Sequence, residues 1–270
     1  MSHLNSSNTT LAPIGRATMS SGIAMASNYH RYLFRHLEPF LGNRVLEIGC
    51  GYGQYTELLL KTGRMVLATD IDISLTQMLE KRLLPDWEGK LATNQIDLYS
   101  PPSISRCLEW QPNSIICMNV LEHIEKDKEA LAELSNGSRG ELTVAFLCPA
   151  HQFLFGFMDS EAGHFRRYSR NSFKKLFTSA GWQVRKCFYI NPIGAIGWWV
   201  RNKLLPPSGR SLDDPAINSD IAFFDKYVLP FSQRVEPLTS RLFGQSVIVI
   251  ASSHKKSHNC RKFTNPLVTN

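Results

Sequence analysis

Three glycines in alternate positions, Gly49, Gly51 and Gly53, directly follow the apolar run Arg44–Ile48. A strand, a glycine-rich loop and a helix in this order are typical of the nucleotide-binding loops of parallel α/β proteins. Glycine adopts positive φ and lets the backbone pass close to a ligand. Glu47 stands two residues ahead of the first glycine, where a carboxylate would repel a pyrophosphate but suit an ammonium group. The GxGxG spacing therefore indicates a ligand with an ammonium group rather than a dinucleotide.

Two further acids stand at the ends of the next predicted strands. Asp70 ends the second strand, 23 residues after Glu47, and a carboxylate in that position can accept both hydroxyls of a ribose. Asp97 follows the third strand, where an adenine amino group can be bound. Asp72 is the alternative to Asp70 as the ribose ligand.

Strand-like apolar runs alternate with helix-like segments, which predicts a parallel α/β sheet covered by helices. The predicted strands span residues 44–48, 65–69, 91–96, 114–118, 142–147, 182–190 and 246–252. The predicted helices span residues 28–39, 54–61, 74–82, 127–134 and 171–180, with Ser74 as an N-cap and Gly181 as a C-cap. Residues 193–243 read as mostly helical, interrupted by a loop at 206–219.

This set of motifs resembles that of the class I S-adenosylmethionine-dependent methyltransferases. The residues that carry the resemblance are ExGxGxG after strand one, the acid that ends strand two and the acid after strand three. It covers about residues 28–190 and reaches residue 252 with the closing strand. The resemblance implies a Rossmann-like α/β fold with a seven-stranded, mostly parallel sheet, an antiparallel last strand and a helical cap insertion.

The resemblance also implies S-adenosylmethionine as the cofactor. It places Glu47, Gly49, Cys50, Gly51 and Gly53 at the methionine moiety, Asp70 and Ile71 at the ribose, Asp97 and Leu98 at the adenine, and Asn119 near the sulfonium. Cys50 is expected to be a small packing residue rather than a nucleophile. Tyr29 either closes over the cofactor or serves packing alone.

Strand four runs into the segment NVLEHI at 119–124, which resembles a segment of many small-molecule members of the family. His123 is a candidate general base, because the pKa of an imidazole lies near neutrality. The alternative is that His123 binds the loop backbone. Glu122 and His123 together offer donors for a divalent metal, but adjacent residues in a turn chelate poorly without a further acid. No metal is therefore expected.

A second polar segment, GHFRRYS at 163–169, follows strand five and resembles the GHxRRYS segment of a bacterial subgroup of the family. The candidate catalytic and substrate residues in and before it are Phe155, Asp159, His164, Arg166, Arg167 and Tyr168. His164 or Tyr168 is expected to face the substrate, and the arginines can hold a carboxylate or a phosphate. The alternative is that Arg167 pairs with Asp159 or Glu161 and fixes the loop.

Residues 193–243 exceed what a minimal methyltransferase needs between strands six and seven. The apolar run PIGAIGWWV, which contains Trp198, is followed by Arg201 and Lys203. Three interpretations stay open. These are a cap over an apolar acceptor that Trp198 contacts, a helical pair that only packs on the sheet, and an anchor at a membrane interface.

The net charge of +7 is distributed unevenly along the chain. Residues 162–212 hold ten bases and no acid, whereas residues 29–161 are net −6. This pattern favours an acidic group on the acceptor, or a negatively charged surface near it, over a nucleic-acid partner. An RNA methyltransferase is expected to carry a reader domain or a motif such as [DNS]PP[YF] after strand four, where this chain has NVLE.

The two tails differ in composition from the rest of the chain. Residues 1–26 are rich in Ser and Thr, and we expect a disordered leader, with a transit peptide as the alternative. The methyltransferase domain is expected to span residues 27–253, and the basic tail 254–270 is expected to be disordered. The apolar runs are too short for a membrane helix and the six cysteines show no paired spacing. A cytoplasmic protein is therefore expected.

The expected function is methyl transfer to oxygen or nitrogen, and less often to carbon, of a small, partly apolar acceptor such as a specialised metabolite. One alternative is a lipid-linked or prenylated acceptor at a membrane surface, with peripheral membrane contact. Another is a noncatalytic partner protein that binds the cofactor, which the intact glycine motif and acids disfavour. The sequence leaves the oligomeric state open.

Overall fold

The computed structural model describes Gly15 and residues 20–138, 140–203 and 215–253. Most of the expected leader, much of the expected 206–219 loop and the basic tail lie outside the described residues. Residues 21–25 form a helix, so the prediction of disorder is wrong for this part of the leader. The helix forms because the Ser20 side chain accepts a hydrogen bond from the Ile23 N–H and because the helix packs against residues 215–223.

Seven strands form one sheet in the order β3-β2-β1-β4-β5-β7-β6. Their bounds are β1 Arg44–Ile48, β2 Met65–Asp70, β3 Leu91–Gln95, β4 Ser114–Met118, β5 Thr143–Pro149, β6 Trp182–Ile190 and β7 Ser246–Ser253. The pairs from β3 to β5 are parallel, and β7 runs antiparallel to both β5 and β6. The predicted Rossmann-like sheet with a reversed last strand is confirmed.

Helices cover both faces of the sheet and the carboxyl ends of its strands. They are α1 Ser21–Met25, α2 Ser27–Leu37, α3 Gln54–Lys61, α4 Ile73–Leu83, α5 Pro101–Leu108, α6 Asp127–Gly137, α7 Phe157–Glu161, α8 Arg170–Ser179, α9 Pro192–Lys203, α10 Pro215–Phe223 and α11 Leu229–Thr239. A π-helical turn, Phe224–Val228, joins α10 to α11. We call residues 192–243 the cap, as far as the structure describes them.

Local details differ from the sequence prediction in several places, of which three follow. Asp72, and not Ser74, is the N-cap of α4, because its Oδ1 accepts hydrogen bonds from the backbone N (2.9 Å) and the hydroxyl (2.6 Å) of Ser74. Helix α5 was not predicted; it begins with Pro101-Pro102, and proline fits the first turn of a helix. Residues 215–219 were predicted as loop and belong to α10.

The central strands are buried on both faces, which explains their nearly continuous apolar sequences. On one face, Leu46 and Ile48 of β1 pack with Phe146 and with side chains of α5, α6 and α8. On the other face, Val45 packs with side chains of α2, α3 and α4. The indole N–H of Trp182 donates to the backbone oxygen of α6 at Leu131 (2.9 Å), which ties β6 to this layer.

Two acids hold the cap against α2, over the carboxyl ends of the strands. In the π-helical turn, the Asp225 carboxylate accepts hydrogen bonds from the backbone N–H of Tyr29 (2.6 Å) and the side-chain amide of Asn28 (3.1 Å). These donors lie in the first turn of α2, where backbone N–H groups lack helical partners. The cap and α2 are therefore fixed to each other at this end.

Glu236 of α11 makes the second connection. Its carboxylate accepts hydrogen bonds from the Tyr32 hydroxyl, from His36 Nε2 (3.0 Å) and from the backbone N–H of Asn191 (2.8 Å). Burial alone would raise the pKa of Glu236, but the bonds from His36, Tyr32 and Asn191 outweigh it and hold that pKa below its usual range.

We expect Glu236→Gln to lower the free energy of unfolding by about 2–3 kcal/mol, since hydrogen bonds to a charged group are worth about 1.5–3 kcal/mol. A carboxyl whose pKa falls on folding stabilises the native state above its unfolded pKa and loses this contribution as the pH falls through the folded value. Urea unfolding between about pH 6 and pH 3 should therefore show a steeper loss of stability for the wild type than for the variant.

The matched control is Asp220→Asn. Asp220 pairs with Arg201 at 3.5 Å, but its side chain is 63% exposed, so the change should cost less than about 0.5 kcal/mol. Equal effects of the two substitutions would contradict the structural role of Glu236.

Candidate active site

A deep cavity lies at the carboxyl ends of β1, β2, β4 and β5. Helices α1, α9 and α10 and the π-helical turn cover it, and its volume is about 1080 Å³. Parallel α/β sheets bind their ligands in the crevice where the strand order reverses, and the order reverses here between β1 and β4. This cavity is therefore the candidate active site.

The glycine loop forms one wall of the cavity. Gly49 has a φ of +79°, and a Cβ at this position would lie 2.2 Å from a methyl carbon of Val120, so the position demands glycine. The backbone N–H of Gly51 donates to the Asp70 carboxylate at 3.0 Å, which holds the loop against the end of β2. Gly53 is the N-cap of α3 and lies behind the wall.

Of the two acids after β2, the structure brings Asp70 to the cavity. Asp70 is 6% exposed, and its other oxygen accepts the backbone N–H of Asp72 at 3.0 Å. Burial raises the pKa of Asp70, and the N–H groups of Asp72 and Gly51 offset part of this effect. Ile71 lies beside Asp70 in the wall, whereas the Asp72 side chain caps α4.

Glu47 lies under the glycine loop, and its side chain is not part of the cavity wall. One carboxylate oxygen accepts the Thr56 hydroxyl at 2.5 Å. The other accepts no hydrogen bond from the part of the chain that the structure describes. Burial raises the pKa of Glu47 to about 8. The structure thus encloses the Glu47 side chain between β1 and α3, outside the cavity wall, and its contact with the ligand stays a prediction.

Of the other residues predicted to bind the cofactor, four lie in the cavity wall and Asp97 does not. Those in the cavity wall are Tyr29, Cys50, Leu98 and Asn119. Asp97 is not in the wall; its carboxylate accepts the backbone N–H of Tyr99 at 2.8 Å. Tyr99 itself lines the cavity and was missed in the sequence, and its hydroxyl accepts the Glu125 N–H at 2.8 Å.

Three polar side chains, Glu122, His123 and His164, meet in the wall beyond β4; we call them the polar cluster. One donor atom from each lies within 4.8 Å of the other two. The two imidazole rings meet edge to face with their centroids 4.7 Å apart, and His164 Nε2 lies 3.9 Å from a Glu122 oxygen. Two separate sequence candidates, His123 and His164, thus belong to one site.

Burial sets the charge states of two members of the polar cluster. The Glu122 side chain is fully buried, and burial raises its pKa. Burial also lowers the pKa of His123 to about 3, so the neutral ring with a free lone pair prevails. These two members therefore offer a neutral nitrogen and carboxyl oxygens as donors.

A buried ion network fixes the orientation of His164. Its Nδ1 lies 2.8 Å from an Asp159 oxygen, and the Arg167 Nε–H donates to the same oxygen at 2.7 Å. Burial alone would raise the pKa of Asp159, but the bonds from His164 and Arg167 hold it below its usual range. Arg167 therefore pairs with Asp159, which is the alternative in which this arginine fixes the loop. Because Asp159 bonds Nδ1 of His164, Nε2 of the same ring is on the side of Glu122.

Four of the predicted residues in and before this loop, Phe155, Asp159, Arg166 and Tyr168, are not in the cavity wall. Tyr168 is buried, and its hydroxyl donates to Asp127 at 2.8 Å. Arg166 pairs with the same Asp127 oxygen at 2.8 Å, and Phe155 lies outside the wall. The physical reason is that Asp127, at the start of α6, is an acceptor that both Arg166 and Tyr168 reach. Arg166 and Tyr168 thus tie the loop to the start of α6 through Asp127.

The cap supplies the apolar part of the wall. Trp198 of α9 lines the cavity, with the Arg167 guanidinium 5.0 Å from its ring centroid. Sequence reasoning missed apolar wall residues from several elements, among them Ile23, Tyr55, Met118, Met158 and Ile217. No spacing signal marks them, because they lie on separate elements that converge only in the folded chain.

The chain matches a family model and one curated protein by sequence. Residues 23–186 match a family described as a methyltransferase domain. A stretch of 105 residues is 30% identical to the mitochondrial ubiquinone biosynthesis O-methyltransferase of Schizosaccharomyces pombe. This stretch is 38% of the chain and spans only 36% of that protein.

Solved structures share the fold. A methyltransferase of Archaeoglobus fulgidus described as dependent on S-adenosylmethionine matches with a TM-score of 0.52 at 18% identity, over 84% of this chain and 94% of that one. A chain from the complex of the Trm112 methyltransferase activator with a methyltransferase of Haloferax volcanii matches with a TM-score of 0.54 at 13% identity, over 88% and 95%. Such low identities show the fold alone.

No helix within the described ranges is long and apolar enough to cross a membrane.

The family model covers more than half of the chain. The sheet order, the glycine loop and the acid at the end of β2 agree with it. The chain therefore belongs to the class I S-adenosylmethionine-dependent methyltransferases.

Proposed function

We propose that this methyltransferase transfers the methyl group of S-adenosylmethionine to an oxygen or nitrogen of a small, partly apolar acceptor. The observation that carries the proposal is one cavity that joins the glycine loop to the polar cluster under an apolar cap. Ligand pockets typically measure roughly 300–1,000 Å³. A volume of about 1080 Å³ therefore leaves room for a cofactor and an acceptor together.

We assign the glycine-loop end of the cavity to the cofactor. Gly49, which tolerates no Cβ, and the Asp70 carboxylate in the wall suit a ribose that lies close to the backbone. Around them we place Cys50, Gly51, Ile71, Leu98, Tyr29 and Asn119 in contact with the cofactor, and Glu47, Gly53 and Asp97 behind the loops that make those contacts. The bound cofactor supplies a methyl group that is electrophilic because its sulfur is positively charged.

We assign the polar cluster to the nucleophilic group of the acceptor. Methyl transfer is an in-line displacement, so the acceptor atom must be held in line with the methyl group and the sulfur, away from water. His164 is suited to this because Asp159, at 2.8 Å, fixes its ring. His123 packs edge to face against it, and together they position the acceptor through Nε2 of His164.

The apolar cap supports an acceptor with a sizeable apolar part. The side chains that surround the remaining space are Ile193, Ile196, Trp198, Ile217, Ile221 and Phe224. Burial of apolar surface contributes about 25 cal/mol per Å², so an apolar acceptor gains affinity here. The relative from Schizosaccharomyces pombe is named as an O-methyltransferase of ubiquinone biosynthesis, which supports oxygen over nitrogen as the methylated atom.

A lipid-linked or prenylated acceptor at a membrane surface is the second candidate. Large apolar side chains that are exposed cluster on α1 and the cap, among them Ile23, Met25, Ile196, Trp199, Phe223 and Tyr227. Ile23, Ile196 and Phe223 also line the cavity. Such groups beside Lys203 and Lys226 suit peripheral contact with an anionic leaflet. We place the protein in the cytoplasm, where such contact would be with an inner surface.

The cofactor assignment predicts the effect of Asp70→Ala. Loss of a charged hydrogen-bonding partner should weaken binding of S-adenosylhomocysteine by about 1.5–3 kcal/mol, which isothermal titration calorimetry measures directly. The control is Asp86→Ala, in the short turn that follows α4 and outside the cavity wall. Unchanged affinity of the Asp70 variant would remove the ribose assignment.

The acceptor assignment predicts that His164→Ala binds S-adenosylhomocysteine within about threefold of the wild type but loses about 10²–10⁴-fold in turnover, as for a removed positioning or proton-handling group. Release of S-adenosylhomocysteine with alkylphenols and alkylamines as probe acceptors measures turnover and separates oxygen from nitrogen methylation. His151→Ala is the control, since this half-buried histidine lies outside the wall. Equal turnover of both variants would contradict the assignment.

The membrane candidate predicts that the full chain cosediments with vesicles containing phosphatidylserine and that Trp199→Ser with Phe223→Ser reduces the bound fraction several-fold. Both side chains are exposed, so the folded core should be unaffected, as thermal unfolding can verify. Binding that the two substitutions leave unchanged would exclude the cap as the contact.

A further inference from the structure

The polar cluster has the geometry of a metal site. Glu122 and His123 belong to the turn after β4, and His164 belongs to the loop after α7. The backbone N–H of Phe165 donates to the Glu122 backbone oxygen at 2.9 Å, so the turn and the loop are tied together. One donor atom from each of the three side chains lies within 4.8 Å of the others. Sequence reasoning discounted a metal for want of a further acid; the structure instead brings a second imidazole, that of His164, to the pair.

The Glu122 carboxyl group has an unsatisfied environment. It is fully buried, and neither oxygen accepts a hydrogen bond from any described residue. The polar groups near the carboxyl are its own backbone N–H, the Cys148 thiol and the His164 ring, whose Nε2 lies 3.9 Å away, and none of them carries a fixed positive charge. Burial of a carboxyl group without such partners is costly unless it is paired or coordinates a metal. Glu122 therefore lacks a partner that a cation would supply.

The two histidines are arranged as ligands. Nδ1 of His123 is buried, and no described residue bonds to it. His164 is bound at Nδ1 by Asp159 (2.8 Å), which leaves Nε2 free on the side of Glu122. A histidine that binds a metal through one nitrogen almost always bonds a carboxylate, a carbonyl or a water through the other. Asp159, held in turn by Arg167 at 2.7 Å, has this supporting position.

We propose that Glu122, His123 and His164 bind one divalent transition-metal ion in the wall of the cavity. Two imidazoles and one carboxylate suit Mn²⁺, Fe²⁺, Co²⁺ or Zn²⁺, whereas Mg²⁺ prefers oxygen ligands and water. With three protein ligands, the ion keeps open positions on the cavity side. The inference deepens the proposed function and rests on it: the ion lies between His164 and the acceptor, and coordinates the acceptor oxygen as a Lewis acid.

Mn²⁺ is the probe that tests the site, because thiolates compete for Zn²⁺ and the chain has six cysteines. The full chain, without an affinity tag, is dialysed against EDTA and titrated with MnCl₂, and free Mn²⁺ is followed by electron paramagnetic resonance. We expect one bound equivalent. Glu122→Gln and His164→Gln should each weaken binding at least tenfold, while His151→Gln, outside the cluster, should bind as the wild type does.

Binding of S-adenosylhomocysteine and thermal unfolding are measured on the same samples, so that a misfolded variant is recognised. The matched amide variant Glu122→Gln keeps the size of the side chain and replaces one carboxyl oxygen with an NH2 group. A wild type that binds the cofactor but no Mn²⁺, or variants that bind Mn²⁺ as the wild type does, would overturn the metal site and leave the proposed function standing. A wild type that binds Mn²⁺ but no cofactor would instead overturn the proposed function.

Discussion

The parallel pairing of β1 with β4 is the contact on which the site depends. The register Val45↔Ser114 to Ile48↔Cys117 brings the carboxyl ends of the two strands level, so the glycine loop and the turn after β4 leave the sheet side by side. Their contact is close enough that a Cβ on Gly49 would lie 2.2 Å from Val120. The chain adds β2 and β3 on one side of this pair and β5 to β7 on the other side. A crevice opens where the direction reverses, and the glycine loop and the polar cluster both line it.

The pairing of charged side chains is the second constraint. It changes the interpretation of the basic segment 162–212, which the sequence analysis linked to an acidic acceptor. Arg167 bonds Asp159, and Arg166 bonds Asp127. Because a buried charge needs a partner, the buried Arg167 fixes the loop, and the half-buried Arg166 ties the same loop to the start of α6. Both cations are therefore already paired with an acid of this chain. What the loop presents to the cavity is chiefly His164, whose orientation depends on Asp159. The excess of positive charge in the sequence is thus partly structural, and it supports an acidic acceptor less than composition suggested.

Much of the fold follows from local sequence signals. The strands β1, β4 and β7 are apolar runs bounded by turn residues, and Asp70 is predictable because parallel strands end at one edge of the sheet. The cap of α4 was assigned to Ser74 because Asp72 and Ser74 are both good capping residues, and only the bonds within the turn distinguish them. Helix α1 has five residues, too few for a periodic pattern, and depends on packing against α10.

The site was harder to predict than the fold, since it depends on contacts between distant segments. His123 and His164 were recognised separately, but their meeting with Glu122 follows from the way the loop after α7 bonds to the turn after β4. Tyr168 was assigned to the substrate on its proximity to His164 in the sequence. Its hydroxyl instead reaches Asp127 at the start of α6, a position that no local pattern reveals.

The most direct measurement is a crystal structure with S-adenosylhomocysteine, in which the distance from the cofactor sulfur to His164 Nε2 is read. We expect the ribose hydroxyls to bond the Asp70 carboxylate and the sulfur to face the polar cluster across open space that fits an acceptor group. A ribose bound away from Asp70, or a sulfur separated from the polar cluster by protein atoms, would contradict the account of this site.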